Sequence, residues 1–126
     1  MKRMETEKID GDKYLGDDIT IVSAEIITAE YGPCLKVESG VIPFKDGDTL
    51  PEDKKLTASV MLGLKEEDDG TLYVPIDGKA DKWLKKHKVN VEKDIPDDIK
   101  VGDRIKKIEG MKGKVTVNSK GFLDIA

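Results

Sequence analysis

Glutamine is absent from this sequence, and histidine, cysteine and tryptophan occur once each. With His87 as the only histidine, no catalytic triad built on histidine and no multi-histidine metal site is available. With Cys34 as the only cysteine, no intrachain disulfide is available either, and a reducing, cytoplasmic setting is the expectation. No stretch approaches the roughly 18 consecutive apolar residues of a membrane span, and the opening MKRMETEKIDGDKYLGDD holds no apolar signal-peptide core. Glycine-rich phosphate loops and dinucleotide fingerprints are missing as well. The acidic runs Glu66-Glu67-Asp68-Asp69 and Asp46-Gly47-Asp48 lack the alternating ligands and bidentate glutamate of a calcium loop. No catalytic residue, metal ligand or cofactor is therefore assigned, and the chain is read as a binding protein rather than an enzyme.

What the sequence has in abundance is charge. Charged residues make up 38% of the 126 positions and apolar residues 37%, enough for one folded domain with a highly charged surface. Such a density of Lys, Asp and Glu with few labile side chains matches heat-adapted proteins. The net charge of −4 conceals a division along the chain. Residues 1–78 hold 9 Lys+Arg against 18 Asp+Glu, a balance of −9, whereas residues 79–126 hold 13 against 8, a balance of +5. A basic C-terminal third gives an anionic chain a local surface for phosphates, unless the two parts neutralise each other across the fold.

Residues 1–18 are polar and without periodicity, and are read as a flexible leader to a single domain over 19–126. Residues 19–28 are dense in β-branched side chains and predict a long strand that bends near Glu25. Tyr31-Gly32-Pro33 supplies a turn into a second strand over 34–39, where Leu35 and Val37 alternate with Lys36 and Glu38. Residues 40–55 read as a loop, 56–64 as a third strand with a small polar face, and 71–76 as an extended run held to an edge by Pro75. One helix is predicted over 79–88, with Ala80, Trp83, Leu84 and His87 on one side, Asp77 as N-cap, and Trp83 filling the core. A patternless linker over 90–100 leads to a Gly-Asp turn feeding a strand within 101–108, then to strands over 114–118 and 121–125. Strands with a single helix between the third and fourth principal ones predict a mainly β fold, a five-stranded barrel of the oligonucleotide-binding type, with a β-sandwich or an SH3-like barrel carrying insertions as the alternatives.

Leu72-Tyr73-Val74-Pro75-Ile76-Asp77, then Lys82-Trp83-Leu84, then Lys100-Val101-Gly102-Asp103-Arg104-Ile105 resemble the strand-helix-strand segment of small single-stranded-DNA-binding proteins of phage and archaeal type. In that group a short strand leads into a lysine-bearing helix, and a Val-Gly-Asp turn opens the next strand. The resemblance implies single-stranded nucleic acid, DNA before RNA, as the ligand. Such binding needs cations for phosphates and flat side chains for bases. The candidate cations are Lys36 on the second strand, Lys79, Lys82 and Lys86 on the helix, and Arg104, Lys106, Lys107, Lys112 and Lys114 around the last hairpin. The candidate stacking residues are Tyr31, Phe44 and Tyr73. The acidic isoelectric point of about 5.1 supports an alternative, a protein-interaction module within a replication or virion assembly.

Overall fold

The computed structural model describes residues 8–126. Strand β1 (Asp18–Ala29) and strand β2 (Gly32–Ser39) form the expected hairpin around a two-residue turn at Glu30 and Tyr31. Strand β3 (Ser59–Gly63) pairs with β2, strand β6 (Lys112–Val117) pairs with the start of β1, and strand β7 (Leu123–Ile125) pairs with β6. The result is a five-stranded antiparallel sheet in the order β3-β2-β1-β6-β7. Its edge strands β3 and β7 approach each other without a hydrogen-bonded ladder. Two-residue strands β4 (Lys65–Glu66) and β5 (Leu72–Tyr73) form a separate small hairpin between β3 and helix α1 (Lys79–Lys86). A second, four-residue helix, α2 (Val91–Asp94), follows.

The core sits where the inward residues of the sheet meet α1. Ile21, Ala24, Ile26, Leu35, Val37, Val60 and Leu62 are all buried, following the alternation along β2 and β3 and, with one interruption, along β1. Trp83 and Leu84 pack into it from α1. Trp83 is 7% exposed and donates from Nε1 to the carbonyl of Ile125 (3.1 Å), so the helix is bonded to the last strand as well as packed on it. His87 stacks on Trp83 with ring centroids 3.9 Å apart, and its Nε2 lies 2.8 Å from the carbonyl oxygen of Ala126.

Several expectations need correction. The irregularity in β1 falls between Ile21 and Ser23 rather than at Glu25. Ile21 and Ala24 are both buried though three residues apart, and an extra outward residue, Val22, is what reconciles that spacing with a period of two. The third strand is shorter than predicted, although Leu56 and Ala58 remain buried beside it. The extended run over 71–76 shrinks to the two residues of β5. The helix N-cap is Gly78, since Asp77 has a φ of 61°, and the Asp77 N–H is instead taken by the Asp81 carboxylate (2.9 Å). Residues 90–100 are not patternless: Asn90 caps α2 by accepting from the N–H groups of Glu92 and Lys93. Residues 101–108 form no strand. Arg104 makes one bridge with Glu25, and Ile105 and Ile108, both buried and three apart, sit in turns instead of an alternating ladder.

The leader predicted over residues 1–18 lies partly outside the described residues, and from Lys8 onward it is docked. Lys8 bridges Thr49, and Gly11–Tyr14 forms a 3-10 turn that buries Tyr14 completely. The Tyr14 hydroxyl donates to Asp48 (2.6 Å), whose carboxylate also accepts from the Asp10 N–H (3.2 Å) and from Lys13 Nζ (3.3 Å). Burial and the Asp48 carboxylate raise the Tyr14 phenol above its usual range. The Tyr14 hydrogen bond, helped by the Asp10 N–H and Lys13, holds the Asp48 carboxyl below its own range.

Two outcomes follow. Asp48 titrates below its unfolded value, so its contribution is complete above a pH of about 4 and is lost as the pH falls through the lowered folded value. Urea midpoints of the wild type and Tyr14→Phe should therefore differ at neutral pH, with the variant less stable, and converge at the acid end. Gly11→Ala places a Cβ 2.9 Å from the Gly121 carbonyl oxygen and should cost about 1–3 kcal/mol in urea unfolding.

Candidate functional site

The solvent face of β2 and β3 is small, flat and framed by two turns. The register sets Lys36 beside Met61 and Glu38 beside Ser59 on the side of the sheet away from the core, and buried Cys34 beside Gly63. Five residues of β3 span about 16 Å at strand rise. The β1–β2 turn, which carries Tyr31 at 95% exposure, lies toward the Gly63 end of this face. At the Ser59 end, a groove of about 680 Å³ opens between the segment leading into β3 and the β6–β7 turn.

That groove gathers Lys54, Lys55, Thr57, Ser59, Lys120 and Phe122. The β6–β7 turn presents its residues outward because Asn118 organises it. The Asn118 carboxamide oxygen accepts from the N–H groups of Lys120 (2.9 Å) and Phe122 (3.0 Å), and Gly121 takes a φ of 84° that other residues rarely adopt. Since Leu123 and Ile125 point into the core, the next residue back, Phe122, must face solvent, and it is 59% exposed. Lys54, Lys55 and Lys120 have no ion-pair partner among the described residues. Exposed Glu52 and Asp53 neighbour the first two in sequence. Glu38 at the same end bonds to the Thr57 hydroxyl (3.3 Å) and lies 3.8 Å from Lys36.

The residues singled out in the sequence are spread over the surface. Lys36 and Tyr31 belong to the β2–β3 face and its flanking turn. Phe44 borders a different groove with Val41, Asp17 and Asp18, whose carboxylates pair with Lys45 (2.7 Å) and Lys114 (2.6 Å). The Lys114 ammonium holds Asp18 below the usual carboxylate range. Tyr73 borders an apolar cavity beside α2. Lys79, Lys82 and Lys86 project from α1 into solvent, and Lys106 and Lys107 stand on exposed turns. Arg104 is engaged: its guanidinium binds Glu109 from Nη2 (2.6 Å) and Nε (2.8 Å), and the same carboxylate oxygen accepts from the Ala24 N–H. Lys112 Nζ donates to the Thr20 hydroxyl (2.7 Å). Lys54, Lys55, Lys120 and Phe122 were not singled out, although the parity of Leu123 and Ile125 was enough to place Phe122 outside.

Cys34 is buried, and burial raises its thiol above the usual range, with Lys36 opposing. Among the described residues no group of three His, Cys, Asp or Glu side chains is placed to hold a metal ion, and no helix is long and apolar enough to cross a membrane. No protein-family model, curated protein or solved structure matches this chain.

The contrast between the core aromatic and the exposed one is directly measurable. Trp83→Ala should cost about 3–5 kcal/mol in denaturant unfolding, whereas Phe122→Ala should change stability by less than about 0.5 kcal/mol.

Proposed function

We propose that this chain binds single-stranded nucleic acid, DNA before RNA and with low sequence specificity, along the β2–β3 face of a barrel of the oligonucleotide-binding type. The observation that carries the reading is the cluster of Lys54, Lys55, Lys120 and outward Phe122 at the β6–β7 turn. In oligonucleotide-binding barrels the ligand crosses the second and third strands between the first hairpin turn and the turn joining the last two strands. The order β3-β2-β1-β6-β7, with α1 between β3 and β6 and the two edges drawn toward each other, supports that topology. Three lysines with no ion pair among the described residues hold phosphates without first breaking such contacts. Phe122 at one end and Tyr31 at the other offer planes on which bases stack. The low aromatic content makes the binding strongly salt-dependent. The role is one of binding, without catalysis.

A second reading keeps one specific observation in its favour. The edges of β3 and β7 carry no ladder between them, and a sheet edge with a net-negative chain around it suits a protein partner that adds a strand. Light scattering and pull-down from native lysate separate it from the first.

The test is fluorescence anisotropy of labelled oligothymidine and oligouridine at rising salt, starting near roughly 50 mM. Binding is expected, with the Lys54→Gln, Lys55→Gln, Lys120→Gln triple variant lowering the magnitude of the log–log salt slope by about 2. Phe122→Ala should cost about 1–3 kcal/mol of affinity. Glu38→Gln should strengthen binding by removing a carboxylate from the track. No binding at the lowest salt contradicts the proposal.

A further inference from the structure

A cavity of about 380 Å³ lies beside α1 and α2, outside the groove described above. Its wall is aliphatic: Ile26, Leu35, Leu84, Ile95, Ile99 and Ile105 are all buried and line it. The aliphatic part of this wall offers water no hydrogen-bond partner. The exposed lining residues are Thr71, Tyr73, Glu92 and Asp97, with half-buried Val74 and Val91 beside them. The mouth therefore carries a hydroxyl, a phenol, two carboxylates and two valines, and among the described residues no Lys or Arg lines the cavity. Lys93 and Lys100 are near in sequence but do not border it. Neither Glu92 nor Asp97 has an ion-pair partner among the described residues.

An apolar chamber with an uncompensated acidic rim selects against fatty acids and other anions and for a cation with an apolar body. We propose that this cavity binds a small organic cation, an alkylamine or alkyl quaternary ammonium compound, with its hydrocarbon part among the isoleucines and its charged head at Glu92 and Asp97. Tyr73, an exposed aromatic in the lining, adds a π system suited to such a head group. This site is independent of the nucleic-acid reading.

The probes are butyl-, hexyl- and octyltrimethylammonium, with octanol and octanoate as comparisons, followed through the carbon-13 methyl signals of Ile26, Ile95, Ile99 and Ile105. Saturable shifts at these methyls are expected, with affinity rising about fourfold per methylene along the cation series. Octanoate at neutral pH should bind at least about tenfold more weakly than the cation of the same chain length. The surface variant Glu92→Gln, Asp97→Asn should weaken octyltrimethylammonium on the order of tenfold and leave octanol unchanged. Absence of shifts at these methyls overturns the proposal. So does equal affinity for cation, alcohol and carboxylate, or indifference of the cation to the double substitution.

Discussion

Everything in this fold hangs on β1, a twelve-residue strand with partners on both edges. On one side it runs against β2 for most of its length. On the other, its first residues pair with β6, and further along Ile21, Ala24 and Ile26 exchange backbone hydrogen bonds with the irregular segment over 102–111. Pairing on both edges leaves few of its buried polar groups without a partner, which is the condition for placing so much backbone next to a core. The bulge at Val22 restores the inward direction after Ile21, so Ile19 and Ile21 before it and Ala24 and Ile26 after it are buried in the same core. The remaining elements fix the edges. Tyr14 and Asp48 tie the N-terminal segment to the long loop before β3, and Trp83 ties α1 to β7.

What was legible in the sequence is what is local. The β1–β2 hairpin follows from β-branched density and from the alternation of Leu35 and Val37 with Lys36 and Glu38. Trp83 as a core residue follows from its spacing with Ala80 and Leu84. The misses are contacts of long sequence separation or patterns of the wrong period. Nothing near Tyr14 announces that its hydroxyl will be satisfied 34 residues away by Asp48. Ile105 and Ile108 carry strand-like composition at a turn-like spacing, and tertiary packing decided for the turn. Asn90 is a legible cap, but the four residues of α2 are too few to show a helical period behind it.

The same distinction governs the candidate site. Counting charge by segment suggested a basic C-terminal third, yet Arg104 is bound to Glu109 and Lys114 to Asp18. The lysines that converge on one groove come from both parts of the chain: Lys54 and Lys55 from the acidic two-thirds, Lys120 from the basic third. A charge balance along a sequence is a statement about solubility and long-range attraction. Where phosphates are held depends on which cations lack an internal partner, and that is a property of the folded surface.

The most direct measurement is a backbone-amide NMR titration of the nitrogen-15-labelled chain with oligothymidine at low salt. The expected result is a continuous set of shifted residues: Tyr31, Lys36, Ser59–Gly63 and the turn over 118–122. Shifts confined to α1 (Lys79–Lys86), or none at all, contradict binding along the β2–β3 face.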